Sequence, residues 1–380
     1  MKNSWKLFSV RGVDVRLHFT FPLILIFAGF QFGVISGNVT GAIFGVVAFS
    51  TLFALVTLHE LGHSFAAQYY GIDVRQIVLS PIGGVAQLER MPDNPQQELV
   101  IASAGPAVNF IIAVILGAVA LAGGTGLPGL RDALPGAGGY GPSALFAFIF
   151  VYNIILALFN LLPAFPLDGG RILRALLAMR MDYVRATWWA ANIGRVAAVG
   201  LGLYGLFNGG IFMMLIALFI FTAAGQEAQY VTMRQALKGY TVEHVYSESA
   251  YRLMPETTIR QAADLMLLGG QTSFAVVQND RLVGFVPQAD LIEALQGKPP
   301  YTPIGEIMSQ DVEKAMLDEA LVDVEMRMAE AKLDSLPVVQ DDVYRGLVST
   351  KQIGMLRRLV LSAPEAAPTR SELPLTTKTW

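Results

Sequence analysis

From Phe19 to Leu58 the chain carries no Asp, Glu, Lys or Arg. One bilayer span needs about 20 apolar residues, so this run is long enough for two. Gly33, Gly37, Asn38 and Gly41 interrupt it, which predicts a first helix over 18–36 and a second over 42–69. Composition agrees: 53% of the 380 residues are hydrophobic and 15% are charged, whereas a soluble globular protein has about a quarter charged. Most charges lie before residue 18, in short clusters, or after residue 226. A membrane domain followed by a soluble one is therefore expected. The net charge of −3 gives no basis for nucleic acid binding. The absence of cysteine removes disulfides, thiolate catalysis and cysteine metal ligands. Lys2, Lys6, Arg11 and Arg16 precede an apolar run far longer than the core of a signal peptide, so no cleavable signal is expected.

The second predicted helix contains Thr57-Leu58-His59-Glu60-Leu61-Gly62-His63-Ser64. Positions i and i+4 share a helix face, so His59 and His63 can point at one ion, with zinc the expected metal. Glu60 can reach a water at that ion without binding the metal. The alternative is a core helix with two histidines and a solvated Glu60. An ionisable triplet in an apolar segment is costly, and marks a functional site by default. A catalytic zinc needs a third protein ligand and an open position. The remaining histidines are His18, at the start of the first helix, and His244, in the soluble part. Asp168 is the acidic candidate at membrane depth; the alternative is a helix-capping aspartate.

Residues 71–97 form a polar loop whose Gly83 and Gly84 suggest a turn between short strands near the membrane. A third helix over 98–122 carries Gly105-Pro106-Ala107-Val108-Asn109, and a Gly/Pro-rich linker spans 123–142. The fourth helix begins near Ser143 and runs into Asn160-Leu161-Leu162-Pro163-Ala164-Phe165-Pro166-Leu167-Asp168-Gly169-Gly170. Those prolines and glycines cannot continue a helix. Such a break is either a helix end at the interface or broken backbone satisfied by protein or a watery cavity. Over 186–224, Asn208-Gly209-Gly210 divides an apolar stretch containing Arg195, and two spans are expected. In that arrangement Lys2, Lys6, Arg11, Arg16, Arg75, Arg90, Arg171, Arg174, Arg180 and Arg185 fall on one side, with Arg131 alone on the other. The bias predicts a multi-pass protein of the cell membrane with both termini cytoplasmic.

Beyond residue 240 the sequence repeats at an offset of 62 residues. Ser273-Phe274-Ala275-Val276-Val277-Gln278-Asn279-Asp280 matches Ser335-Leu336-Pro337-Val338-Val339-Gln340-Asp341-Asp342, and Gly284 then matches Gly346. Each unit reads helix, strand, tight turn, strand, helix, and the two units are expected to pack as a pseudo-dimer. The expected organisation is a membrane domain over 1–225, a linker over 226–240, repeats over 241–298 and 299–361, and a disordered Pro/Ala/Thr-rich tail over 362–380.

His59-Glu60-Leu61-Gly62-His63, the Asn160–Gly170 segment with its Leu-Asp-Gly core, and Gly105-Pro106 with Asn109 resemble the site-2 protease family of intramembrane zinc proteases. The resemblance covers roughly residues 1–225. It implies a polytopic α-helical membrane domain of about six transmembrane helices, one zinc held by His59, His63 and Asp168, and Glu60 as general base. Asn160 matches the asparagine that in the family contacts substrate or the developing oxyanion; satisfying broken backbone is its other reading. Asn109 is read as structural. Gly83 and Gly84 match a strand loop that aligns substrate by strand addition. The implied substrates are single-span membrane proteins such as an anti-sigma factor or a membrane-tethered transcription factor, in a bacterial or archaeal membrane.

The C-terminal repeat resembles paired cystathionine-β-synthase (CBS) domains, a soluble α/β module that often binds adenine nucleotides. Their ligand motif is Gly-x-x-Ser/Thr-x-x-Asp. Gly284 through Asp290 keeps the aspartate but has Pro287 at the hydroxyl position, while Gly346 through Gln352 keeps Ser349 but lacks the aspartate. Asp290 and Ser349 are thus the candidate contacts for ATP, ADP or AMP, and a pair that only holds two chains together as a homodimer is the alternative. Two other classes of function remain in play. One is a transporter or channel gated by the repeat pair, with Asp168, Arg195 and the histidines along a permeation path; the other is an inactive membrane scaffold.

Overall fold

The computed structural model describes residues 4–81, 83–88, 92, 94–134 and 139–363. The chain divides into a first compact unit ending at Gln229 and a second beginning at Tyr230. Residues 364–380, which hold nearly all of the predicted disordered tail, and Arg90 lie outside the described residues.

The first unit opens with a hairpin, β1 (Ser4–Val10) and β2 (Val13–His18), that the apolar pattern did not announce. Then follow α1 (Phe21–Ser36) and α2 (Val39–Tyr69), separated where the glycines and Asn38 predicted a break. Asn38 caps α2 by accepting a hydrogen bond from the Gly41 amide at 3.0 Å. β3 (Val74–Ser80) and β4 (Gly83–Leu88) form the expected strand pair. β2 runs parallel to β3, with Asp14 opposite Gln76, so the sheet order is β1-β2-β3-β4. Beneath it Val13, Val15, Ile77 and Leu79 pack against Phe53, Leu61 and Ala67 of α2.

α3 (Pro95–Ala122) starts at an Asn94 cap, and α4 (Pro142–Asn160) ends where the Pro/Gly segment begins. α5 (Asp168–Ala178) is a short helix absent from the sequence reading. α6 (Tyr183–Phe207) and α7 (Ile211–Leu237) are the two spans expected on either side of Asn208-Gly209-Gly210. The helices α2, α3, α4, α6 and α7 are long and apolar enough to cross a membrane; α1 is apolar but shorter. Phe110, Ile111, Val114 and Ile115 of α3 are all exposed, as residues facing lipid would be.

In the second unit the repeat is visible element by element. β5 (Arg252–Leu253), α8 (Ile259–Gly269), β6 (Phe274–Gln278), β7 (Arg281–Val286) and α9 (Gln288–Gly297) make the first copy. β8 (Ala315–Met316), α10 (Leu321–Ala331), β9 (Ser335–Gln340), β10 (Val343–Ser349) and α11 (Thr350–Ser362) make the second. The sheets are ordered β5-β6-β7 and β8-β9-β10. Asn279-Asp280 and Asp341-Asp342 all have φ between 52° and 61°, the signature of two-residue type I′ hairpins. Ala275, Val277 and Phe285 of one copy share a buried cluster with Tyr344 and Leu347 of the other, giving the expected pseudo-dimer.

Candidate metal centre

His59 and His63 lie one turn apart on α2, both buried, with their Nε2 atoms 3.1 Å apart. Asp168, the first residue of α5, points its Oδ2 at both: 3.1 Å from His59 Nε2 and 3.2 Å from His63 Nε2. It is not a cap; Leu167 is the N-cap of α5 and makes no side-chain cap bond. The break after α4 therefore serves to turn a carboxylate back onto α2.

The other ring nitrogens fix what these three atoms can do. His63 Nδ1 is 2.7 Å from the carbonyl oxygen of Ile101, a group that only accepts, so Nδ1 carries the proton and Nε2 a lone pair. His59 Nδ1 donates to Asn109 Oδ1 at 2.5 Å, which leaves its Nε2 in the same state. Two imidazole lone pairs and a carboxylate oxygen thus converge with no proton among them, an arrangement that favours a cation at their centre. Ligands about 2.0–2.1 Å from a tetrahedral zinc stand about 3.3 Å from one another, close to the edges of this triangle. Among the described residues, these three form the group suited to hold a metal.

Room for the ion comes from α3. A Cβ on Gly105 would sit 2.2 Å from His63 Nε2 and 2.7 Å from His59 Nε2, so only bare backbone can back the triangle. Glu60, half-buried, neighbours His59 on α2. β4 lies against it: a Cβ on Gly84 would come 2.7 Å from Glu60 Cγ. Gly83 opens β4 opposite Ser80.

These residues fit zinc, and comparison with known proteins agrees. Residues 47–201 match peptidase family M50, and residues 242–297 and 304–353 match the CBS domain. The chain is 32% identical over 355 residues to zinc metalloprotease MJ0392 of Methanocaldococcus jannaschii, covering 93% of this chain and 96% of that protein. This chain belongs to the site-2 protease family. The protease also matches stage IV sporulation protein FB of Bacillus subtilis, at 24% identity over 50% of this chain and 62% of that one. Among solved structures it matches the site-2 protease from Methanocaldococcus jannaschii, at 38% identity and a TM-score of 0.43, over 59% of this chain and 95% of that one. The site-2 protease is thus a zinc metalloprotease with a CBS pair, and its apolar helices make it a membrane protein. Family membership sets aside the transporter and scaffold readings.

The remaining candidates are placed differently. Asn160 is the last residue of α4, half-buried, and its amide has no hydrogen-bond partner among the described residues. His18 bonds Thr20 Oγ1 and His244 bonds Thr241 Oγ1, so neither joins the triangle. Asp290 is exposed in the first turn of α9. Ser349 is the N-cap of α11, in a reciprocal box with Gln352.

Sequence reasoning missed the outer partners of the histidines. Asn109, read as structural, bonds His59 Nδ1, and bare backbone at Gly105 leaves room beside the two histidines. Their four-residue spacing on α3 was the available signal, since it puts both on one face. Also missed was a buried ion cluster. Arg174 of α5 bonds Glu98 at 2.8 Å through Nε and Glu227 at 2.6 Å through Nη1, with its guanidinium 4.9 Å from the Phe165 ring centre. It ties the helix that presents Asp168 to α3 and α7.

Proposed function

We propose that this site-2 protease cuts the membrane-spanning segment of single-span regulatory proteins, of the anti-sigma factor or membrane-tethered transcription factor kind. The observation that carries the reading is the lone-pair triangle of His59, His63 and Asp168, beside Glu60, on a helix apolar enough to cross a bilayer. In this reading those three residues hold one zinc ion. Zinc in that position supplies Lewis acidity and lowers the pKa of water. Glu60 takes the proton of the attacking water and delivers it to the leaving amine. The unpartnered Asn160 amide donates to the oxygen on which negative charge grows. β4 is an edge strand, so an unwound substrate adds to it past Gly83 and Gly84, alongside Glu60.

The reading extends to the whole chain: a protease domain over 1–225, a linker over 226–240, CBS repeats over 241–298 and 299–361, and both termini cytoplasmic. An adenine nucleotide at the CBS pair tunes cleavage. A cavity of about 250 Å3 between the copies is lined by Pro287, Gln288, Ile292, Lys332 and Asp334 among others. Asp290 is exposed on the same helix, α9, though not among the residues that line the cavity, and a carboxylate suits a ribose diol. The capping box engages the Ser349 hydroxyl, so Asp290 is the stronger contact.

Purified protein in vesicles, incubated with single-span candidate peptides, tests the function by mass mapping of products. Cleavage within the apolar segment is expected, with Glu60→Gln keeping zinc and losing turnover because a carboxamide accepts no proton. Cuts confined to water-exposed flanks, or wild-type turnover by Glu60→Gln, would refute it.

A further inference from the structure

Asn153 is fully buried on α4, a span otherwise made of apolar side chains around it. Its Nδ2 lies 2.7 Å from the Asn109 backbone oxygen. Backbone carbonyls only accept, so this contact fixes which end of the Asn153 amide is nitrogen. Asn153 Oδ1 then faces Asn109 Nδ2 at 2.8 Å and must accept from it. That in turn fixes Asn109, whose Oδ1 is left for His59 Nδ1 at 2.5 Å. Each bond has one possible direction, and the sequence of bonds begins at a group that cannot reverse.

We infer that Asn153 is a positioning residue for the zinc ligand His59: it locks the Asn109 amide as an acceptor, which holds the imidazole as the Nδ1–H tautomer with Nε2 presented to the ion. Without Asn153, the Asn109 amide can rotate and offer NH2 to His59. The imidazole would then turn or take the other tautomer, placing a proton where the metal binds. His63 needs no such device, because its partner is a backbone carbonyl. The inference rests on the zinc-protease reading, and the two fail separately: wild-type protein that binds no zinc would refute that reading, whereas the comparison below concerns Asn153 alone.

The test is the zinc dissociation constant of full-length protein in detergent, measured by chelator competition. Asn153→Leu, with the same number and branching of side-chain heavy atoms, is expected to weaken zinc by about 10- to 100-fold, the usual effect of losing a ligand's outer partner. A carboxylate at position 109 offers an oxygen in either rotation and needs no orienting neighbour. In the Asn109→Asp background, Asn153→Leu is therefore expected to cost little further affinity. An unchanged constant for Asn153→Leu alone, or the same fold loss in both backgrounds, would overturn the inference, the second result being that of a purely structural residue. A folding-independent measurement uses wild-type protein with 15N-labelled imidazoles. His59 Nδ1 is expected to carry a proton; an unprotonated Nδ1 would overturn the inference.

Discussion

One methyl group at Gly105 is the sharpest probe of the metal centre. The Cβ would fall 2.2 Å from His63 Nε2, inside any nonbonded contact. Where α2 and α3 cross, a Cβ on Gly62 would already meet the Ala104 carbonyl oxygen at 2.9 Å. Gly105→Ala is therefore expected to purify folded but nearly zinc-free, which elemental analysis reads directly; a stoichiometric content would place the ion elsewhere. The contrast with Glu60→Gln is useful, since on the proposed roles that variant is expected to keep the metal and lose only proton transfer. The three converging side chains were legible in the sequence as candidates because their chemistry is local: His59 and His63 need only helix periodicity, and Asp168 stands out as an acid within a helix-breaking segment. Gly105 and Asn109 were visible as a motif, yet their roles depend on how closely α3 crosses α2, which no spacing within one helix reveals. Asn153 gave still less, being one amide in an apolar run.

Arg174 shows the same limit at the level of elements. In the sequence it is one of several arginines marking a cytoplasmic flank. In the structure it is 1% exposed and shared by α3, α5 and α7 through Glu98 and Glu227. Removing one partner of a buried ion pair strands the other charge, so Arg174→Ala is expected to cost about 3–5 kcal/mol, seen as a lower unfolding temperature in detergent. Arg174→Met with Glu98→Gln should recover part of that loss; equal losses in both would mean that the charges themselves matter little. Elsewhere, legibility followed the range of the determining contact. The β6–β7 and β9–β10 turns were readable because two φ > 0 residues suffice to specify each. The β1–β2 hairpin was not, because its place in the sheet depends on β3, with Arg16 opposite Val78. α5 was hidden because its first residues are the same glycines that end the preceding segment. In the CBS pair, burial pushes the Tyr344 phenol up to about 12, and its hydroxyl has no hydrogen-bond partner among the described residues. A folded-state value above the ordinary one of about 10 means stability that is present below pH 10 and lost as pH rises through 12. Tyr344→Phe removes an unsatisfied polar atom and is expected to be neutral or stabilising by about 1 kcal/mol at neutral pH. Its advantage over wild type should widen above about pH 10 in denaturant titrations; a clear destabilisation at pH 7 would reveal a partner for the hydroxyl.

Across the first unit as a whole, connectivity sorts the charges by end. β2 and β3 pair side by side, so the start of α1 and the end of α2 lie at the sheet, and the turn around Asn38 lies at the far end of that helical hairpin. His59, His63 and Asp168 meet near the end of α2 and just after α4, so α4 runs toward the sheet end, and the end of α3 and the start of α4 lie at the far end. Lys6, Arg11, Arg16, Arg75, Arg171 and Arg180 then share the end that holds His59, His63 and Asp168, while Arg131 lies at the other. Positive charge is retained on the cytoplasmic side, so this asymmetry supports the proposed cytoplasmic placement of that end and of the C-terminus, which labelling can test. The chain has no cysteine, so single cysteines report sidedness without further engineering. In intact cells, a membrane-impermeant maleimide is expected to label Asn38→Cys, Thr125→Cys and Asn208→Cys. Asp73→Cys and Met179→Cys should react only after permeabilisation. Labelling of Asp73→Cys from outside would invert the whole arrangement. It would put the sheet, the zinc ligands and the CBS pair on the external face, and nucleotide control of cleavage would fall with it.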